Sequence, residues 1–138
     1  MRKLIGLAMA AAALVLAACG GGGGSTGPDP ARGEQLFKSA TIGTASAPGC
    51  ITCHNVTGTD VLVGPSQAGV ATRAQQEIDS GKYTGSAKTV EEYLRESIVD
   101  TDAYVVENFQ AGVMYANFGK ELSEQEISDL VAYLLTLK

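Results

Sequence analysis

The chain is 138 residues long, with fifteen acidic and ten basic residues, a formal net charge of −5 at neutral pH and a hydrophobic fraction of 45%. That acidity excludes a nucleic-acid binder, which needs a concentrated basic surface. With one histidine, three cysteines and no tryptophan, the residues able to hold a metal or act as nucleophiles are few, and their positions carry most of the information.

Arg2 and Lys3 lead into an apolar run from Leu4 to Ala18. The run is about fifteen residues, short of the ~20 that a membrane-spanning helix needs, so the pattern reads as an export signal. It ends Leu16-Ala17-Ala18-Cys19-Gly20, which resembles the lipobox of bacterial lipoproteins, where the cysteine is diacylated and the chain is cut just before it. The resemblance implies a removed signal peptide over residues 1–18 and lipidation of Cys19; two acyl chains anchor stably where one does not. The shortened chain keeps eight basic residues against fifteen acidic ones, a formal charge of −7. Anionic lipid repels such a chain, so the acyl chains must hold it at the membrane. Residues 19–28, with five consecutive glycines, read as a flexible linker with an r.m.s. span of roughly 17 Å.

Residues 29–138 read as one domain, helical wherever the periodicity is clear. A short helix begins after Pro30 and carries Leu36 and Phe37. Thr41 to Gly49 is a loop rich in Gly, Ala, Ser and Pro, and it leads into Cys50-Ile51-Thr52-Cys53-His54. Thr89 and Glu92 have the spacing of a capping box for a second helix, with Tyr93, Leu94 and Ile98 inward and Glu91, Glu92, Arg95 and Glu96 outward. Ser123 and Glu126 repeat that spacing near the C-terminus, with Leu122 and Ile127 as a hydrophobic staple. Ile127, Leu130, Val131, Leu134 and Leu135 then recur on one helical face. Glycine and proline between these helices predict loops, and no run alternates as a strand. The expected class is all-α, in a domain small enough that its own side chains give only a modest core.

C-x-x-C-H is the pattern through which haem is attached covalently. Two thiols three positions apart each form a thioether with one haem vinyl group, and the next imidazole ligates the iron from one face. On the motif alone other readings compete. A thioredoxin-like C-x-x-C needs a strand before it, where this chain has loop. A structural zinc site needs a fourth ligand, and His54 is the only histidine while Cys19 belongs to the lipobox. A structural or disulfide-linked cysteine pair stays open on the motif itself. Haem iron with one His takes Met, His, Cys or Tyr opposite, or stays open. Downstream of His54 there is no His, no Cys and one Met, in Ala111-Gly112-Val113-Met114-Tyr115. A lone methionine ordinarily fills a core. This one is the only Met beyond the signal segment and stands in an irregular segment flanked by Gly112 and Gly119, which makes Met114 the candidate second ligand to His54.

With these features in this order, residues 29–138 resemble the single-haem, His/Met class of cytochromes c. The resemblance implies the cytochrome c fold, three to five helices packed around one covalently bound haem c, with Cys50 and Cys53 as thioether residues and His54 and Met114 on the iron. Gly33 and Phe37 look like the family's glycine and aromatic at the crossing of first and last helix, with Leu130 and Tyr133 as their partners. Gly64-Pro65 stands where the family places it, which implies that the Pro65 carbonyl accepts the Nδ1 proton of His54. Tyr115 stands where the family commonly has proline after the methionine, implying a less rigid loop and a more easily displaced ligand. The stretch from Lys38 to Gly49 is longer than in the shortest members and reads as a surface insertion. No lysine ring for docking is present, so the expected redox partner offers a basic or apolar face.

Iron closed on both sides by protein favours one-electron exchange over bond-making chemistry, and Met raises the potential. The resemblance therefore implies an electron-transfer protein, not an enzyme, in a respiratory or photosynthetic chain. The lipobox places it at a bacterial cell membrane with the haem domain on the periplasmic side. It is expected either as a tethered carrier or as a fixed relay, since lipobox, linker and single haem domain look like the monohaem lipoprotein subunits of quinol-oxidising assemblies such as alternative complex III. The alternative from another class is a haem enzyme or gas sensor gated by a labile Met114; no distal histidine supports it.

Overall fold

A computed structural model describes residues 27–138. The expected signal peptide over 1–18, the lipidated Cys19 and the glycine run of the linker lie outside the described residues.

Helix α1 (Pro30–Lys38) opens with Asp29 as its cap, whose carboxylate accepts from the backbone N–H of Ala31 and Arg32, and with Pro30 at the first helical position, where a missing N–H costs nothing. It crosses the C-terminal helix α5 (Glu124–Leu134). A Cβ at Gly33 would overlap the Asp129 carbonyl oxygen and stand 2.9 Å from Tyr133 Cβ, so only glycine permits this approach. Phe37 meets Tyr133 edge-on at 5.6 Å between ring centroids. The Asp129 carboxylate, buried at the crossing, takes hydrogen bonds from Arg32 Nε (2.7 Å), the Asp29 N–H (2.7 Å) and Gln125 Nε2 (2.9 Å). Arg32 and Gln125 also donate to the Gly27 carbonyl. Both sides of the crossing thus hold the Gly27 carbonyl.

Both predicted capping boxes are present. Ser123 and Glu126 close α5, and Thr89 and Glu92 close α3 (Val90–Val99). Ile127, Leu130, Val131 and Leu134 are buried on one face of α5, as are Tyr93, Leu94 and Ile98 on α3. Two regions differ from expectation. Residues 70–80, read as loop, form α2 (Val70–Ser80), bounded by Gly69 and Gly81 in the left-handed conformation. Its inner face is Val70, Ala71 and Ala74, and alanine gives helix propensity without a strong hydrophobic stripe. The stretch from Lys38 to Gly49 is no mere surface insertion: β1 (Thr41–Ile42) pairs antiparallel with β2 (Ala47–Pro48), Ile42 opposite Ala47. Those two facing residues are buried in the core, which is why a two-residue ladder holds where no alternating run exists. A short helix α4 (Phe118–Glu121) precedes α5 and buries Phe118. Five helices and this small ladder make the described residues mostly helical, as expected.

Candidate functional site

Between these helices lies a cavity of about 880 Å³, and Cys50, Cys53, His54 and Met114 all line it. Three of the four come from one tight turn. Residues Cys50–Thr52 form a single 3-10 turn in which the Cys50 carbonyl accepts both the Cys53 N–H (3.1 Å) and the His54 N–H (2.9 Å). The Thr52 hydroxyl ties back to the Gly49 carbonyl at 2.6 Å. This winding presents both thiols and the imidazole to one space, and neither cysteine is in a disulfide.

The His54 ring is held by residues 64–67, where the chain returns to it. Its Nδ1 lies 2.8 Å from the Pro65 carbonyl oxygen, and the Gly64 N–H donates to the Cys53 carbonyl at 2.9 Å. A Cβ at Gly64 would overlap His54 Cε1 and stand 2.7 Å from Nδ1, so glycine here is the space in which the ring sits. The Gln67 side-chain amide also approaches Nδ1, to 3.0 Å, beside the Pro65 oxygen. Burial lowers the pKa of His54, with the Pro65 bond opposing. A neutral imidazole with Nδ1 engaged is the form in which Nε2 is free to ligate a metal. Burial also pushes the Cys50 thiol up to about 11; such a wall disfavours a thiolate and suits an uncharged thioether.

Met114 faces the same cavity from a long irregular stretch between α3 and α4. Two ties hold its neighbourhood: the Gly112 N–H donates to Asp102 Oδ1 at 2.9 Å, and the Tyr115 hydroxyl donates to Glu121. Tyr115 also packs edge-on against Phe118, with ring centroids 5.1 Å apart.

Much of the rest of the wall is apolar and aromatic, drawn from α1, α2, α3 and α5: Phe37, Val70, Leu94, Ile98 and Leu130 among others. Leu130, expected at the helix crossing, therefore also serves this wall. Tyr93 and Tyr104 line it too, and each packs against Tyr83 at 5.2 Å between centroids. The Tyr104 hydroxyl donates to Glu77 at 2.7 Å. Among the described residues Arg73 is the one lysine or arginine on the wall, its guanidinium held by the Ser66 and Ala68 carbonyls. At the rim, Val61, Leu62, Val63 and Val113 are each more than half exposed. The sequence reading missed Tyr104 and Gln67. Tyr104 sits in irregular chain, and nothing in spacing marks Gln67 as reaching back across thirteen residues.

The cavity fits haem. Its size falls within the roughly 300–1,000 Å³ of small-molecule and cofactor sites, which are mostly apolar with a few placed polar groups. Two thiols for the covalent bonds and an oriented imidazole stand on one side, a thioether sulfur elsewhere on the wall. Among curated proteins no match to this chain is found. The cytochrome c family model matches residues 30–138, from the first residue of α1 to the last of the chain. The chain therefore belongs to the cytochrome c family, and is an all-α electron-transfer protein carrying covalently bound haem c.

Proposed function

We propose that this cytochrome is a membrane-tethered one-electron carrier of a respiratory or photosynthetic chain, with its haem iron held between His54 Nε2 and Met114 Sδ. The observation that carries the reading is that His54, Met114 and both cysteines of the motif line one apolar cavity. The haem supplies the Fe(III)/Fe(II) couple and takes one electron at a time. The protein's part is to hold and exclude. Cys50 and Cys53 fix the group covalently, Pro65 orients the His54 ring, and Met114 fills the remaining position against external ligands. The apolar wall excludes water and favours the less charged, reduced state.

The tether is the acylated Cys19, with the domain on the periplasmic side of a bacterial membrane. Carrier and fixed subunit of a quinol-oxidising complex share this chemistry. The exposed Val61, Leu62, Val63 and Val113 surround the cavity's mouth, and the acidic chain has no basic ring with which to steer. We take its redox partner to present an apolar face there, so association is only weakly salt-dependent.

The visible spectrum of the holo-protein tests the ligand set. A low-spin spectrum with the weak red band of methionine-ligated ferric haem, unmoved by carbon monoxide in the reduced state, is expected. Met114→Ala then lowers the potential and opens the reduced haem to carbon monoxide; an unchanged spectrum in that variant removes Met114 from the iron. A prompt carbon monoxide shift in the wild type would give precedence to a haem enzyme or gas sensor. For the anchor, mass spectrometry of the mature chain is expected to find Cys19 at the N-terminus with its acyl chains, and an unmodified Cys19 ends that part of the proposal.

A further inference from the structure

The His54 ring has two neighbours at Nδ1, and the motif accounts for one. Pro65 offers its carbonyl oxygen at 2.8 Å; the Gln67 side-chain Nε2 stands 3.0 Å from the same nitrogen and donates to the Pro65 oxygen at 3.3 Å, a longer bond that a half-turn of the amide gives up. Gln67 is not a loose surface residue drifting into range. Its N–H donates to the Asn55 carbonyl at 2.8 Å, its own carbonyl accepts from the Val70 N–H at 3.1 Å, and its side chain lines the cavity, half-buried. The backbone is pinned on both sides, so the amide is aimed at the ring.

A terminal amide carries a donor and an acceptor that exchange places by a half-turn about its last bond. Which end faces His54 is decided by the ring. Resting on the reading that Nε2 ligates iron, Nδ1 carries the ring's only proton and is a donor. An NH₂ group 3.0 Å from that nitrogen sets donor against donor, whereas the half-turn sets the amide oxygen there as an acceptor. We propose that the Gln67 Oε1 shares the Nδ1 proton of His54 with the Pro65 carbonyl, making Gln67 a positioning residue that raises the basicity of the ligand and lowers the reduction potential of the haem. The physical reason is the one that applies to Pro65: an acceptor on the far nitrogen pushes electron density onto the metal-bound one and stabilises Fe(III). The opposite orientation has the opposite sign. With Gln67 Nε2 donating to the Pro65 oxygen, the orientation drawn in the structure, the amide competes with the His54 N–H for that carbonyl, weakens the ring's bond and raises the potential.

His54 is the only histidine of the chain, so ¹⁵N-histidine labelling of the reduced holo-protein reports this ring alone. The potential and the Nδ1–H resonance are to be measured in wild type, Gln67→Leu and Gln67→Glu, neither of which removes the backbone bonds at position 67. Gln67→Leu is expected to raise the potential and move the Nδ1–H resonance upfield, as one acceptor is lost. Gln67→Glu, which keeps an acceptor and makes it stronger, is expected to restore the downfield resonance and hold the potential at or below the wild-type value. A lower potential in Gln67→Leu, or an unmoved resonance in both variants, overturns the proposal while leaving His54 on the iron. A wild-type ring whose Nε2 bears a proton overturns the ligand reading itself, and this inference with it.

Discussion

The two stretches that bring His54 and Met114 to the haem cavity are built to different standards. On the histidine side, residues 50–67 are a chain of short-range backbone ties: Cys53 and His54 to Cys50, Gly64 to Cys53, Gln67 to Asn55, and the ring itself to Pro65. On the methionine side, the segment from Thr101 to Asn117 holds no regular helix or strand, and Ala111, Gly112 and Val113 before Met114 are all exposed. An element tied at many points opens at higher cost, whereas an exposed segment with few ties opens locally at lower cost. On the proposed ligand set, exchange of ligands at the iron therefore begins on the Met114 side.

Gly64→Ala is the severest way to break the strong wall. The new Cβ competes with the imidazole for the same space, and the ring yields only by leaving the Pro65 carbonyl. We expect a loss of roughly 3 kcal/mol, at the top of the usual overpacking range, together with a low-spin spectrum that turns mixed or high-spin. Denaturant unfolding and the visible spectrum check the two parts. A variant with native spectrum and native stability would show that the histidine wall is softer than its hydrogen bonds indicate.

A smaller effect separates both walls from the scaffold that carries them. Asp129 sits under the α1/α5 crossing with its hydrogen bond from Arg32 as the chief cause of a lowered pKa, reinforced by the Asp29 N–H and Gln125 and opposed by burial. A carboxylate depressed in the folded state contributes stability that is complete above its unfolded value and is lost as pH falls through the folded one. The domain should therefore lose stability below about pH 4, where unfolded aspartate begins to take up protons. Asp129→Asn is expected to cost about 2 kcal/mol at neutral pH and to flatten the acid limb of the stability profile. An Asn variant with the same acid slope would assign that slope to other carboxylates.

The same contrast governs what was legible in the sequence. Helices α3 and α5 announce themselves because capping chemistry and apolar periodicity coincide: Thr89 with Glu92, Ser123 with Glu126, and the stripe from Ile127 to Leu134. Helix α2 stays hidden because Ala71 and Ala74 pack closely without a strong apolar signal and its ends are glycines rather than capping side chains. The Ile42–Ala47 pair is hidden for another reason: one facing pair has no period. At the site, Cys50, Cys53 and His54 are legible because covalent attachment dictates their spacing, and Met114 because it is the one Met downstream, where no His or Cys follows His54; all four line one cavity. Gln67 is not, because its approach to the ring depends on how the chain returns after Pro65.

The finest test bears on the weak wall alone. The Tyr115 hydroxyl donates to Glu121 at the end of α4, and its ring packs on Phe118. Glu121 holds the pKa of Tyr115 above the ordinary phenol value, so the hydroxyl keeps its proton and the tie persists through neutral pH. Tyr115→Phe keeps the ring and its packing and removes only the hydroxyl. Since the regular helices do not depend on that bond, the melting temperature should hardly move. The segment bearing Met114 would keep its Gly112–Asp102 tie and lose this one. On the proposed ligand set, carbon monoxide should then reach the reduced haem more readily than in wild type, yet far more slowly than in Met114→Ala, where no sulfur has to leave first. Binding as slow as in wild type would mean that Phe118 packing alone fixes the loop. Binding as fast as in Met114→Ala would mean that one hydroxyl holds the methionine in place.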